Sequence, residues 1–376
     1  MSTRTAAVAG AGIAGLAAAA VLARRGLEVE IYERTDNPRE FGAGIYLKEN
    51  SLPLLEEVGA YDEVAASGVR IRAVRIADER NEIIVTRNTE RERLITVQRS
   101  VLHSALRAAA ERAGAKLITG VNVAGARPDG TLLLDGRDPV QADLVVAADG
   151  VNSRVRDSLG LTRVNRTLPT GATRLLVPRE EPDNVSTEYW AGSMRLGVAP
   201  CAPDLTYLFL IGPEKDRRAA AIPVDREYWS ARLPHLSGVI ARISDDVGVH
   251  HAHGYATCKA WASGRVALIG DAAHAQPPNF GQGAGLAIAN ARKLADFTAG
   301  GGDVPEMLGV WERYVRRGSR VVQGLTTAYD QAGTWDSFLP ARARLFHQLS
   351  TFGPTARQWE YWWRGGVDAP AAWQAR

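Results

Sequence analysis

A glycine-rich run near the N-terminus has the spacing of a phosphate-binding turn. Residues 10–15 read GAGIAG, and an alanine-rich stretch follows them. Glycines at the first, third and sixth places allow a tight turn, close approach of a pyrophosphate and close packing of the next helix on its strand. The N-terminus of that helix then offers free N–H groups and a positive dipole to the phosphates. The run predicts a dinucleotide site with contacts from Gly10, Gly12, Ile13, Ala14 and Gly15.

An acidic residue stands where the second strand of such a unit would end. Glu33 can accept hydrogen bonds from ribose hydroxyls, and Arg34 follows it directly. An acid at this place fits an adenosine ribose that carries no 2′-phosphate. The ligand is therefore FAD or NAD, and Glu33 and Arg34 belong to the predicted cofactor contacts.

A second chemistry-bearing run favours FAD over NAD. A predicted buried strand leads into GDAAH, which begins at Gly270, and then into QPPNFGQGAG at 276–285. An aspartate here can hydrogen-bond a ribityl hydroxyl, and the glycine-rich turn lets backbone approach a flat ring. The helix that begins near Gly283 directs its positive end at the N1/O2 edge of a reduced flavin, which is negative. A plain turn rich in glycine and proline is the alternative. The predicted contacts in this run are Asp271, Pro278, Gly281, Gly283 and Ala284.

The elements that must position these residues alternate between strand and helix. Thr5–Ala9 and Val29–Glu33 have the composition of short buried strands, and Leu16–Arg25 has that of a helix ended by glycine. Such a strand–helix–strand unit opens a parallel sheet. Further strands are predicted at Leu144–Ala148 and Val266–Ile269, and further helices at 101–113, 286–297 and 303–330.

Two intervening segments have the alternating pattern of half-buried strands. They predict one antiparallel sheet, which the chain enters and leaves. The predicted fold is α/β, with an FAD-binding Rossmann-type domain, an inserted antiparallel-sheet substrate domain and C-terminal helices. The boundaries that we predict are 1–70, 98–168 and 262–330 for the FAD-binding domain, 71–97 and 169–261 for the substrate domain, and 331–376 for a helical segment with a tryptophan cluster.

The composition argues against several classes of protein. A net charge of +3 is small for 376 residues, so no nucleic-acid partner is expected. No apolar run reaches the roughly 20 residues of a membrane span, and glycines interrupt the apolar N-terminal stretch. The two cysteines, Cys201 and Cys258, lie far apart in the sequence, which favours a reducing compartment. We expect a cytoplasmic monomer or homodimer with no membrane partner.

Three strings together resemble the fingerprints of the group A flavoprotein monooxygenases, the p-hydroxybenzoate hydroxylase-like family. They are residues 10–15, 143–156 (DLVVAADGVNSRVR) and 264–285 (GRVALIGDAAHAQPPNFGQGAG). The resemblance implies FAD as cofactor, NADH or NADPH as co-substrate, and O2 that adds at flavin C4a to give a hydroperoxide. The expected substrate is a small, anionic aromatic or N-heteroaromatic ring that is hydroxylated, with ring opening as an alternative outcome.

The resemblance assigns further cofactor contacts. The loop FGAGI resembles the family's loop near the isoalloxazine, which assigns Gly44. Arg99 stands where the family has a basic residue near the cofactor, and Asp149 serves both FAD and the transient visit of NAD(P)H. Arg154 and Arg156 are structural residues, pyridine-nucleotide contacts or members of solvated ion pairs.

Three side chains of the predicted antiparallel sheet are candidates for substrate binding. Arg195 and Tyr207 fall on positions that contact the substrate in the pyridinol-hydroxylating branch of the family. Arg195 suits an anionic group because its planar fork binds such groups in bidentate fashion, and a surface ion pair is the alternative. Tyr207 can hydrogen-bond the substrate or belong to the core. His253, or His251, can relay a proton that favours a phenolate, and a structural histidine is the alternative.

Other chemistries have less support from the sequence. His250, His251 and His253 lack a carboxylate or cysteine that would complete a metal site, so no metal is expected. A flavin halogenase or a reductase on the same scaffold is one rival, although the Trp-x-Trp-x-Ile-Pro string of halogenases is absent from the sequence. A flavin-binding protein without catalysis is another rival, and the intact run at 276–285 argues against it.

Overall fold

The glycine-rich run near the N-terminus connects a strand to a helix, as its spacing predicts. The computed structural model describes residues 4–38 and 43–334. The strands of this part are β1 (Thr5–Ala9), β2 (Glu28–Tyr32), β3 (Gly44–Leu47), β4 (Val69–Arg70), β5 (Ala73–Asp78), β6 (Ile83–Asn88), β7 (Ile95–Gln98), β8 (Lys116–Ile118), β9 (Val123–Ala126), β10 (Thr131–Leu134), β11 (Val140–Gln141), β12 (Leu144–Ala147), β13 (Thr162–Pro178), β14 (Val185–Ala191), β15 (Met194–Pro200), β16 (Leu205–Pro213), β17 (Val249–Cys258), β18 (Ala262–Ser263) and β19 (Val266–Leu268). The helices are α1 (Ile13–Arg24), α2 (Leu52–Glu57), α3 (Tyr61–Ser67), α4 (Arg99–Arg112), α5 (Arg154–Ser158), α6 (Arg226–Arg232), α7 (Ser237–Ala241), α8 (Asp271–His274), α9 (Gly283–Thr298) and α10 (Val304–Gly333), with a 3-10 turn at Pro234–Leu236.

A six-stranded sheet carries the glycine-rich run at the end of its central strand β1. The strand order is β18-β19-β12-β1-β2-β8, and all neighbours are parallel apart from β18. Helix α1 packs against both α4 and α9, and its alanine side chains permit this close approach. Helix α1 begins at Ile13 rather than at the predicted Leu16, because Gly12 is already its extended N-cap residue. The predicted α/β fold class is confirmed.

A second large sheet has seven strands in the order β17-β13-β16-β15-β14-β5-β6. The prediction of a wholly antiparallel sheet is wrong at one place, because β14 and β5 pair in parallel. Parallel neighbours need a long crossover, and here the chain passes through the six-stranded sheet between them. Strand β7, at the end of the segment 71–97 predicted to join this sheet, lies instead between β3 and β4 in a separate three-stranded sheet.

The two faces of the seven-stranded sheet have different coverings. On one face, Leu196 and Leu208 pack with Trp229 of α6 in an apolar cluster that also includes residues of α7. The opposite face carries Arg195 and Tyr207, which strand alternation places away from these leucines. The polar residues predicted for the substrate therefore lie on the face that α6 and α7 leave free.

Helix α10 runs along the molecule with a buried stripe that is partly polar. The stripe includes Ser319, Gln323, Thr326 and Asp330, which follow one another at spacings of four, three and four residues. The Gln323 side-chain amide donates to the carbonyl oxygens of Ala256, at 2.7 Å, and Ala275, at 2.9 Å. The helix is thereby joined to β17 and to the loop that follows α8. No helix of the described part is long and apolar enough to cross a membrane.

One predicted domain boundary falls within a strand. Strand β13 pairs with β17 along both its first and its second half, and therefore spans the predicted boundary at residue 168. The division into two domains remains a prediction. The tryptophan cluster predicted at Trp359, Trp362, Trp363 and Trp373 lies outside the described residues.

Candidate flavin and substrate site

The glycine-rich turn has no room for larger side chains. Gly10 has a φ of +98°, and a methyl group there would lie 2.6 Å from the carbonyl oxygen of Ala148. A methyl group at Gly15 would lie 1.9 Å from the carbonyl oxygen of Gly10. Among the described residues, no side-chain hydrogen bond caps the N-terminus of α1, and its first turn holds no acidic residue. This helix end, at Ile13 and Ala14, suits a phosphate.

Glu33 lies beside this turn, where the sequence analysis expects the ribose. One carboxylate oxygen accepts from the backbone N–H of Ala11 at 2.9 Å, and the other from that of Thr35 at 3.0 Å. These two bonds fix the orientation of the carboxylate at the end of β2, and each oxygen keeps a further lone pair for a ribose hydroxyl. Arg34 is exposed next to it.

The three strings that carry the family resemblance meet in space. Gly270, with a φ of +59°, lies against α1, since a methyl group there would be 2.8 Å from the Cβ atom of Ala14. A methyl group at Gly10 would lie 3.3 Å from the Cα atom of Asp149. The predicted phosphate-binding turn is therefore adjacent to Asp149 of the middle string and to Gly270 of the third string.

Open space and an unpaired polar atom mark the same region. Apart from its sequence neighbours and its own helix, no described residue lies within 4 Å of a methyl group placed at Gly150 or Gly283, and no side-chain hydrogen bond from a described residue caps α9. Asp271 is exposed at the start of α8. Asp149 is largely buried, and burial raises the pKa of its carboxyl. Its Oδ1 atom has no hydrogen-bond partner among the described residues. Glycine backbone, two uncapped helix N-termini and these carboxyl groups fit FAD.

Strand β3 lies between the loop after α8 and the seven-stranded sheet. A methyl group at Gly44 would lie 2.5 Å from the Tyr207 ring, so strand and ring are in close contact. On the other side, Gly281 has a φ of +58° and approaches Tyr46. The backbone N–H of Arg99 donates to the carbonyl oxygen of Ala43 at 2.8 Å, which places the start of α4 at the beginning of β3. A flat ring near Gly44 would therefore lie within reach of Tyr207.

The remaining predicted contacts of the loop lie on the same turn. The carbonyl oxygen of Pro278 accepts from the backbone N–H of Gly281 at 2.8 Å, and this turn leads into α9. Ala284, in the first turn of α9, is half-buried. The backbone at this helix start can therefore approach a ligand closely.

The two arginines of the middle string have different structural roles. Arg156 is fully buried and donates to the carbonyl oxygens of Ala272, at 3.2 Å, and Val151, at 2.9 Å. It thereby ties the middle string to α8. Arg154 is about half exposed and pairs with Asp135 at 2.7 Å. Of the three alternatives left open by the sequence, Arg156 fits the structural role and Arg154 the solvated ion pair.

Arg195 is buried with two carboxylates. Its side chain is 1% exposed, with Nη1 at 3.3 Å from Glu188 and Nη2 at 3.2 Å from Asp330. Its Nε atom has no hydrogen-bond partner among the described residues. The guanidinium also lies 5.3 Å from the ring centroid of Tyr329 and 5.9 Å from that of Trp190. The surface ion pair that we considered as an alternative for Arg195 does not occur, since the ion pairs that it forms are buried.

The sheet register places Arg195 and Tyr207 on one face. Arg195 lies opposite Ile211, and Tyr207 opposite Ala199, on the hairpin of β15 and β16. Tyr207 is buried beside Phe209, with 5.4 Å between ring centroids, and burial raises the pKa of its hydroxyl. The two substrate candidates therefore face the same space on the side of β3.

The three neighbouring histidines have separate environments. His250 lies between Glu214, at 2.8 Å from Nε2, and Thr173, at 2.9 Å from Nδ1. His251 is exposed, and burial of part of its ring lowers its pKa. His253 is buried against Asp330. Within the described residues, no group of three His, Cys, Asp or Glu side chains is placed to hold a metal ion.

Comparisons with known proteins establish the family. The family model described as an FAD binding domain matches residues 3–331. The chain is 36% identical, over 339 residues, to the 2-heptyl-3-hydroxy-4(1H)-quinolone synthase of Mycobacteroides abscessus, with 88% of this chain and 90% of that protein covered. The chain belongs to the FAD-dependent monooxygenase family.

Further relatives of this monooxygenase cover almost its whole length. It is 30% identical, over 378 residues, to the aurachin C monooxygenase/isomerase of Stigmatella aurantiaca, with 93% of this chain and 95% of that protein covered. Among solved structures, the tetrameric form of 2-methyl-3-hydroxypyridine-5-carboxylic acid oxygenase superposes with a TM-score of 0.85 at 32% identity, covering 95% of each chain. FAD as the cofactor of this monooxygenase is thereby confirmed.

Two carboxylates that contact Arg195 in this monooxygenase were not among the site residues predicted from the sequence. Glu188 lies on β14 and Asp330 on α10, and both contact Arg195. A signal for Asp330 is present in the sequence, since polar residues recur in phase with the apolar stripe of α10. Glu188 has no comparable signal, because only the pairing of β14 with β15 brings it near Arg195.

Proposed function

We propose that this monooxygenase hydroxylates an uncharged N-heteroaromatic ring with electrons from NADH or NADPH and one oxygen atom from O2. The observation that supports this most is the meeting of the three distant strings that carry the family resemblance, beside a sheet face with buried polar and aromatic residues. FAD, when bound and reduced, supplies an electrophilic oxygen that amino-acid side chains cannot provide. The protein then has to bind the ring, orient it and exclude water.

Each part of the cofactor has proposed contacts in this arrangement. We assign the diphosphate to residues 10–15 at the N-terminus of α1, and the adenosine ribose to Glu33. The ribityl chain falls to Asp149 and Asp271. The flavin ring would be held by residues of β3, the start of α4 and the start of α9, namely Gly44, Arg99, Pro278, Gly281, Gly283 and Ala284.

Water exclusion falls to the buried groups around β3. Ala43, Ala199, Cys201 and Tyr207 form an apolar cluster, and Tyr46 and Phe209 pack on it. Burial raises the pKa of the Cys201 thiol to about 12, so that this group stays neutral and apolar. A dry chamber favours transfer of oxygen to the ring over decay to hydrogen peroxide.

The two ion pairs that Arg195 already forms favour a substrate ring without a charge. The Mycobacteroides abscessus relative is named for a hydroxyquinolone, and the solved relative for a hydroxypyridine carboxylic acid. Both are N-heteroaromatic rings, but only the second carries a carboxylic acid. Since Arg195 is already paired with Glu188 and Asp330, its own positive charge is compensated and is not available to a substrate carboxylate. Burying a further uncompensated anion there is unfavourable.

A substrate panel tests this proposal. FAD-loaded protein is supplied with NADH or NADPH and with one of three rings, namely a 2-alkyl-4(1H)-quinolone, 2-methyl-3-hydroxypyridine-5-carboxylate or 4-hydroxybenzoate. We expect the quinolone to stimulate NAD(P)H oxidation and O2 uptake and to gain one oxygen atom by mass spectrometry. Its kcat/KM should exceed that of either carboxylate by roughly tenfold or more.

Two outcomes would contradict separate parts of the proposal. A preference for a carboxylated ring would show that Arg195 does accept a substrate anion, as the sequence analysis expected. NAD(P)H oxidation that yields only hydrogen peroxide with every ring of the panel would count against hydroxylation of this ring class. Matching the quinolone with its carboxylated derivative of the same ring gives a control in which only the charge differs.

A further inference from the structure

A buried polar cluster joins the last turns of α10 to the face of the seven-stranded sheet that carries Arg195 and Tyr207. Asp330 lies at its centre and is 3% exposed. Its carboxylate accepts from Thr170 Oγ1, from Arg195 Nη2 at 3.2 Å and from Asn279 Nδ2 at 3.2 Å, and it lies 3.5 Å from His253 Nδ1. Four separate segments, β13, β15, β17 and the loop before α9, therefore converge on one side chain of α10.

The hydrogen bonds of this cluster determine which nitrogen of His253 carries the proton. Thr170 Oγ1 donates to Asp330, so it is free to accept from His253 Nδ1, which lies 3.1 Å away. The other neighbour of Nδ1 is a carboxylate oxygen, which also accepts. Both contacts require a proton on Nδ1, which leaves a lone pair on Nε2 of the neutral ring.

The Nε2 atom of His253 is buried without a hydrogen-bond partner in the described ranges. The His253 side chain is 3% exposed, yet Nε2 has no hydrogen-bond partner among the described residues. Two neighbours of Asp330 share this property, since Arg195 Nε and Asn279 Oδ1 are also buried without partners in the described part. A buried polar atom without a hydrogen bond is energetically unfavourable. One donor and two acceptors around a single carboxylate therefore form a recognition set for a polar ligand.

We propose that His253 Nε2 takes a proton from the ring substrate, and that Asp330 and Thr170 position His253 for this transfer. This inference rests on the proposed function. The N–H or O–H bond of the substrate breaks, its proton passes to Nε2, and its electron pair moves into the ring. The ring carbon thereby becomes more nucleophilic toward the electrophilic oxygen. After oxygen insertion that carbon loses its hydrogen as a proton to solvent, and the proton on Nε2 returns to the ring nitrogen or oxygen.

The charges around His253 are consistent with a neutral base. Burial lowers the pKa of His253, and Arg174 of β13 and Arg195 of β15 add to this, whereas Asp330 opposes it. Glu188 of β14 forms an ion pair with Arg195 and so compensates part of its positive charge. Burial alone would raise the pKa of Asp330, but its hydrogen bond with His253 and the charge of Arg195 lower it to about 2. Near neutral pH the histidine is therefore uncharged and the carboxylate is ionised.

The test compares a matched pair of variants at Thr170 with a variant at His253. Thr170→Val removes the hydroxyl that links Asp330 to His253, whereas Thr170→Ser keeps it. His253→Gln should lower kcat for ring hydroxylation by about 10²–10⁴-fold, the range for loss of a general base. We expect Thr170→Val to lower kcat by about tenfold, and Thr170→Ser to rescue most of that loss. FAD absorbance and thermal unfolding report whether each variant is folded.

A pH profile separates the proton relay from a structural role. In the wild type, kcat should fall on the acid side as His253 becomes protonated. In Asp330→Asn this limb should move to lower pH, because the carboxylate no longer stabilises the imidazolium, and in His253→Gln it should disappear. A folded His253→Gln variant that hydroxylates with the wild-type limb, or a Thr170→Val variant equal to Thr170→Ser, would falsify the relay. If the wild type itself forms no oxygenated ring, the proposed function fails instead.

Discussion

At the residue scale, Lys48 is the least expected side chain of the fold. It is 5% exposed at the end of β3, and its ammonium donates to the carbonyl oxygen of Phe280 at 2.7 Å. Burial and the charge of Arg87 lower its pKa from 10.5 to about 7. The buried ammonium of Lys48 therefore holds the loop before α9, and the stability of this contact depends on pH.

The pH dependence of stability tests this assignment of Lys48. Between about pH 7 and pH 10.5 the unfolded chain holds a proton on Lys48 that the folded chain has lost. The unfolded state binds more protons across this window, so stability rises with pH there, by at most about 1.4 kcal/mol for each pH unit. Urea unfolding of the wild type and of Lys48→Met should therefore show a free-energy difference that is flat below pH 6.5 and moves in favour of the wild type above pH 7. A difference that stays constant up to pH 9 would show that Lys48 keeps its ordinary pKa.

At the element scale, the polar stripe of α10 joins the two large sheets. Gln323 donates to the carbonyl oxygens of Ala256 and Ala275, and Gln323→Met keeps the length of the side chain but removes both bonds. Two hydrogen bonds of about 0.5–1.5 kcal/mol each suggest a loss of about 1–3 kcal/mol in urea unfolding. Arg320→Gln, on the exposed side of the same helix, is the control and should change stability by less than about 0.5 kcal/mol. Equal effects of the two substitutions would show that α10 is held by its apolar contacts alone.

The elements also show which parts of the site the sequence can reveal. Residues 10–15 could be assigned in advance because glycine spacing and helix start are local properties of the chain. Arg195 and Tyr207 were placed on one face because the hairpin of β15 and β16 keeps their register. The place of Asp330 in the site could not be predicted from the sequence, because its partner Arg195 is 135 residues away in the chain. Only the crossing of α10 over the sheet brings the two side chains together. The parallel pairing of β14 with β5 escaped for the same reason.

At the scale of the whole molecule, the proposed cofactor site connects segments that are far apart in sequence. Residues 10–15, Asp149 and the loop before α9 come from three widely separated parts of the chain. A ligand that binds only when all three are in place stabilises the folded state as a whole. We therefore expect FAD to act on the stability of the entire chain and not of one lobe.

Thermal unfolding of FAD-stripped protein tests this expectation. Free FAD at about 100 times its Kd adds about 2.7 kcal/mol, which should raise Tm by roughly 3 °C for a chain of this length. Riboflavin at the same free concentration lacks the diphosphate and adenosine. It should raise the Tm far less, because the N-terminus of α1 and Glu33 are then left without a ligand. In Gly15→Ala a methyl group would meet the carbonyl oxygen of Gly10, so the turn must shift and the advantage of FAD over riboflavin should shrink. If riboflavin raises the Tm of the wild type as much as FAD does, the diphosphate does not bind at residues 10–15, since that contact is what distinguishes the two ligands.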